Sequence, residues 1–147
     1  MTKRFFIVFI AAVALPVIAF AEQSETFGDY TVHYSAFTTD TLTPAVAKLY
    51  QIPRSKNRAM VNISVLKNET GAMIGKPVKA KVEGTATNLS QQLRELQIRE
   101  INEQEAVYYI AETTINDKET LKYNFEITPE GATAPYKLSF QEQFYTE

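Results

Sequence analysis

Apolar and polar side chains alternate with a period of two through most of this chain, the mark of half-buried β-strands. In the segment 27–37, Tyr30, Val32, Tyr34 and Ala36 alternate with Asp29, Thr31, His33 and Ser35. Residues 59–66 set Ala59, Val61, Ile63 and Val65 against Met60, Asn62, Ser64 and Leu66, and the turn Asn68-Glu69-Thr70-Gly71 follows. Val78, Ala80 and Val82 then face inward, with Lys79, Lys81 and Glu83 outward and Pro77 at a strand's start or edge. Further strands are expected around 95–101 and 106–115. The second is apolar on both parities over its first half, so it belongs in a central position or under cover on both faces. The cleanest alternation is Leu121, Tyr123, Phe125 and Ile127 against Lys122, Asn124, Glu126 and Thr128. Pro129-Glu130-Gly131 turns the chain into a last strand carrying Tyr136, Leu138, Phe140 and Phe144.

Helical signals are few. Thr43 is a good N-cap, Pro44 suits the first helical position, and the stretch to Tyr50 is helix-compatible until Pro53 stops it. This predicts one short helix near residues 44–50. Leu89, Leu93 and Leu96 follow helical spacing inside a run of strands, so residues 88–96 are read as a connection with one helical turn. The sum is all-β: an immunoglobulin-like antiparallel β-sandwich of about seven strands with one short helix, a small β-barrel being the alternative.

The first 21 residues break this pattern. Lys3-Arg4 precedes an uncharged apolar run from Phe5, and Ala19-Phe20-Ala21 has the small-x-small spacing of a signal-peptidase site. Cleavage after Ala21 is expected, leaving residues 22–147 as a single exported domain. An uncleaved anchor is the rival, but the apolar stretch falls short of the ~20 residues a spanning helix needs. Loss of the leader removes two cations and no acids, taking the formal net charge from −2 to −4. An acidic domain is a poor candidate for nucleic-acid binding.

Composition narrows the chemistry. The 147 residues include no Cys and one His, so disulfides, thiolate metal sites, a Cys nucleophile and any two-imidazole site are excluded. An exported chain without cysteine fits the bacterial periplasm, and its fold rests on the core alone. No cofactor motif and no metal-ligand spacing is present. Nothing resembles the nucleophile elbow a Ser-His-Asp enzyme requires.

Five segments carry a resemblance. They are 27–37 (Phe27-Gly28-Asp29-Tyr30-Thr31-Val32-His33-Tyr34-Ser35-Ala36-Phe37), Pro44-Ala45-Val46-Ala47-Lys48-Leu49-Tyr50, Val61-Asn62-Ile63-Ser64-Val65, Tyr108-Tyr109-Ile110-Ala111 and Ala134-Pro135-Tyr136-Lys137-Leu138. In that order they resemble a family of small exported proteins of Gram-negative bacteria, catalogued as domain of unknown function 4426. The resemblance implies a periplasmic location and an immunoglobulin-like sandwich. It implies no activity, and no catalytic residue is carried over.

The binding candidates are therefore those the residues themselves suggest. His33 is the one side chain whose ordinary titration lies near neutrality, and by parity it shares a polar face with Asp29. Arg54, Lys56 and Arg58 place three cations in five residues, a patch suited to an anionic ligand. Tyr108 has the opposite parity to Tyr109 and is a candidate surface aromatic. The leading reading is a non-enzymatic module that binds an envelope protein or component, with strand edges available for β-augmentation. A carrier of a small apolar ligand, or a hydrolase or isomerase using His33, are the alternatives.

Overall fold

A computed structural model describes residues 23–147; the leader and its cleavage residues Ala19 and Ala21 lie outside the described residues. The described residues form ten strands in two antiparallel sheets. They are β1 (Gln23–Phe27), β2 (Tyr30–Thr38), β3 (Arg58–Lys67), β4 (Lys76–Pro77), β5 (Ala80–Asn88), β6 (Leu93–Glu95), β7 (Ile98–Glu103), β8 (Ala106–Thr114), β9 (Thr120–Pro129) and β10 (Tyr136–Gln143). Sheet A has the order β1-β2-β3-β8-β7, with β4 beside β3, and sheet B the order β10-β9-β5-β6. Each sheet keeps its own edges, so the architecture is the sandwich and not the barrel.

The strands follow the sequence pattern, with two informative departures. The segment 27–37 is not one strand. Gly28 adopts φ +55°, a left-handed conformation that costs glycine little, and the chain folds back to make the β1–β2 hairpin. Residues 88–96 hold no helical turn. Asn88 Oδ1 accepts the backbone N–H groups of Ser90 (3.1 Å) and Gln92 (2.9 Å), an Asx-type turn that leads directly into β6. Leu89 and Leu93 stay exposed, so their helical spacing corresponds to no buried face. The expected helix does form as α1 (Pro44–Leu49), and Thr43 Oγ1 caps it by accepting Val46 N–H at 3.3 Å.

Between the sheets lies a core of Val32, Val61, Ile63, Val65, Leu121, Tyr123, Phe125, Ile127 and Leu138, all nearly or wholly inaccessible. Each aliphatic or Phe side chain among them contributes about 1.5–3 kcal/mol by its burial. Two flanks must also be closed. On one, Phe27 stacks on Tyr136 (5.1 Å between centroids) and Tyr34 on Phe140 (4.5 Å), joining β1 and β2 of sheet A to β10. On the other, the Tyr109 hydroxyl bridges the sheets: it accepts Ala80 N–H at 2.7 Å and donates to Glu100 at 3.2 Å.

Sheet A carries a second, smaller core on its outer face. The β2–β3 connection, α1 included, folds back over the sheet and packs Leu42, Tyr50 and Ile52 on Phe37, Met60, Ile101, Tyr108 and Ile110. This explains why β8 is apolar on both parities: Tyr109 and Ala111 enter the main core while Tyr108 and Ile110 lie under the roof. Among the described residues sheet B has no such cover. Its outward residues Lys81, Glu83, Lys122, Asn124, Glu126, Lys137 and Ser139 are exposed.

Candidate functional site

The sequence candidates fall mainly on the outer face of sheet A. In the β2 register His33 lies between Ser24 of β1 and Ser64 of β3, half-buried on the outward side. The next outward row joins Ser35 to Asn62, and Asn62 lies opposite Ile110 of β8. Polar residues of β2 and β3 thus adjoin the roofed apolar cluster. Asp29 is not part of this row. It sits exposed in the β1–β2 turn, where its carbonyl accepts Asn68 N–H at 2.7 Å. Tyr108 is half-buried beneath the roof, where Tyr50 and Ile101 also lie.

The three cations divide among separate tasks. The Arg54 guanidinium donates to two backbone oxygens, Leu42 O at 2.7 Å and Asp40 O at 2.9 Å, and so ties the two limbs of the β2–β3 connection together. Arg58 lies 3.6 Å from Glu112, whose other oxygen is 3.5 Å from Arg99. Arg99 also donates to Tyr50 O at 3.0 Å, and the Tyr50 hydroxyl donates to Glu103. That hydrogen bond raises the Tyr50 phenol above its ordinary value, because the carboxylate favours the protonated form. Lys56 remains exposed. The sequence cluster is therefore spread along a roof and its fastenings, with Arg54 and Arg58 each turned toward the chain itself.

A different feature stands out on sheet B. A half-open groove of about 830 Å³ runs along it from β10 to the chain leaving β6. Strand register fixes what lies side by side there. Lys137 of β10 is opposite Glu126 of β9, and Glu126 is opposite Glu83 of β5. The adjacent row reads Ser139, Asn124, Thr85 and Glu95 across all four strands. Ser139 donates to Asn124 Oδ1 at 2.9 Å, and Lys81 lies 3.4 Å from Glu83. Glu83 and Glu126 are like charges directly opposed on an exposed face, an arrangement that costs stability, and Lys81 beside Glu83 and Lys137 opposite Glu126 offset part of that cost from either side.

None of these groove residues is singled out by the sequence. The outward parity of Glu83 and Glu126 is plain in the alternation, but their juxtaposition depends on pairing between strands some forty residues apart. Chemically, the groove offers carboxylate, hydroxyl and amide oxygens as acceptors, with the ammonium groups of Lys137 and Lys81 at its rim. Among the described residues, no group of three or more His, Cys, Asp and Glu side chains is placed to hold a metal ion. No described helix is long and apolar enough to cross a membrane.

Comparison with known proteins agrees with the fold. The family model "Domain of unknown function (DUF4426)" matches residues 24–147. A crystal structure of a DUF4426 family protein from Pseudomonas aeruginosa is 32% identical, with 86% of this chain and 96% of that one covered and a TM-score of 0.71. FetP of uropathogenic Escherichia coli, expressed recombinantly in the periplasm, is 12% identical, with coverage of 84% and 93% and a TM-score of 0.59. A copper-bound variant of FetP is 13% identical, with coverage of 84% and 95% and a TM-score of 0.58. No curated protein matches.

Proposed function

The chain belongs to the DUF4426 family, and from that premise we propose that it is an exported, non-enzymatic binding module of the periplasm. Its groove on sheet B receives an extended, cation-bearing segment of an envelope protein. The observation that carries this reading is the contrast between the two outer faces. Sheet A is roofed by the chain's own β2–β3 connection. Sheet B is left open, with a groove of about 830 Å³ whose floor opposes Glu83 to Glu126.

The physical logic is straightforward. A lysine or arginine side chain laid between those two carboxylates adds to the partial compensation by Lys81 and Lys137 and gains charge-assisted hydrogen bonds. Thr85, Asn124 and Ser139 supply neutral partners for a peptide backbone alongside. The free edge of β10 borders the same groove, so a peptide strand added there places alternate side chains over its floor. The copper of the FetP neighbour supports no metal function for this chain, since identity at that level speaks to fold alone.

The test is fluorescence anisotropy with two labelled extended peptides of alternating Thr and Lys or alternating Thr and Glu. The basic peptide is expected to bind, with affinity falling as salt rises. A Glu83→Lys/Glu126→Lys variant, checked as folded by circular dichroism, should weaken binding about tenfold or more. Equal binding of the acidic peptide, or unchanged binding by the variant, overturns the reading.

A further inference from the structure

The connection between β3 and β4 holds an apolar tip out in solvent. Asn68 N–H donates to Asp29 O (2.7 Å) and Ala72 N–H to Glu69 O (3.2 Å), which fixes the first limb. Gly75 fixes the second by lying against the preceding strand, where an added Cβ would come within 2.8 Å of Lys67 O. Between them Met73 is 102% exposed and Ile74 77%. Met60, the other methionine among the described residues, is 5% exposed and sealed beneath the β2–β3 roof.

We infer that Met73 is a modification site: of the two methionines among the described residues, it carries the thioether that two-electron oxidants such as hypochlorous acid attack first, without disturbing the fold. The sulfur gains one oxygen and is oxidised by two electrons, while hypochlorous acid is reduced to chloride and a proton is released. The product sulfoxide is polar and turns half of the apolar tip into a hydrogen-bond acceptor. Met73 meets the oxidant in the native state. Met60 meets it only when the roof or the whole domain opens, so its rate is reduced by the population of that open form.

Trypsin separates the two sites, because Met60 lies in peptide 59–67 and Met73 in peptide 68–79, the Lys76-Pro77 bond being resistant. Full-length protein is treated with graded hypochlorous acid, quenched, and mapped by mass spectrometry. Peptide 68–79 should gain one oxygen about tenfold faster than 59–67, or more. In concentrated urea the two should oxidise at similar rates, since access no longer differs. Protein oxidised only at Met73 should keep the thermal midpoint of the untreated protein. Comparable rates in the folded state, a preference that persists in urea, or a lowered midpoint would each overturn the assignment.

Discussion

The ring of Tyr34 in β2 stacks on that of Phe140 in β10, with centroids 4.5 Å apart, across a flank where no strand pairing joins the two sheets. Phe140 also lies 5.1 Å from the Tyr123 ring and 6.1 Å from that of Phe125, so one side chain ties the edge to the centre of the core. Stacking beyond simple area burial adds about 0.5–1.5 kcal/mol per pair. Phe140→Ala is expected to cost about 3–5 kcal/mol in urea unfolding. Phe140→Leu, which keeps the burial and loses the stacks, should cost visibly less. Equal losses for the two would mean that the flank is closed by volume alone.

Gly84 lies directly opposite Phe125 in the β5–β9 pair, and a Cβ at position 84 would sit 2.4 Å from Phe125 Cδ1. The aromatic ring occupies the space a side chain would fill, so the glycine is there for close approach and not for a turn. Gly84→Ala should destabilise the protein by about 1–3 kcal/mol through overpacking. Combining it with Phe125→Leu should cost less than the sum of the two changes, because the ring that clashes has gone. Strict additivity in that double-mutant cycle would refute the contact.

The part of this fold that could be read from the sequence is the part set by alternation within single strands. Leu121, Tyr123, Phe125 and Ile127 are inward on pattern alone, and all four are buried. Thr43 and Pro44 announce α1 because capping is a local property. What depends on contacts between distant segments was not legible. Arg54 reads as part of a surface patch, yet its guanidinium is taken by the carbonyls of Asp40 and Leu42. Tyr109 reads as core, which it is, but its hydroxyl also links Ala80 to Glu100 across the sheets. The groove is the extreme case, since Glu83 and Glu126 meet only through strand register.

At the end of the sandwich near the β8–β9 turn, Arg94 of β6 and Glu119 form an ion pair at 3.0 Å, with the glutamate side chain 9% exposed. Arg94 also donates to Thr114 O at 2.6 Å, and Asn116 N–H donates to the other Glu119 oxygen at 2.8 Å. Both charges are thus engaged on two sides, and the pair fastens β6 to the turn that follows β8. Arg94→Met strands a nearly buried carboxylate and should cost about 3–5 kcal/mol. Adding Glu119→Gln to it should recover part of that loss. If the double variant is no more stable than Arg94→Met, charge is not what the pair contributes.

Two glutamates give stability opposite dependences on acid. The hydrogen bond from Asn102 holds the Glu100 carboxyl below its ordinary value, helped by Lys79 and Tyr109 and opposed by desolvation. Desolvation raises that of Glu142, whose strand parity turns it inward on β10. For Glu100 the folded value lies below the unfolded one, so its contribution is present above the ordinary glutamate range and is lost as pH falls through the folded value. For Glu142 the folded value lies above, so its contribution is present in acid and is lost as pH rises through the folded value. Glu100→Gln should therefore lower stability near neutrality and Glu142→Gln should raise it. On acidification the Glu142 difference should shrink first, as pH falls through its raised folded value and then the ordinary glutamate range. The Glu100 difference should shrink later, as pH falls through its lowered folded value, because a protonated carboxyl resembles the amide. Urea unfolding of the two variants across that range is the measurement, and shifts of the same sign at neutral pH would contradict the assignment.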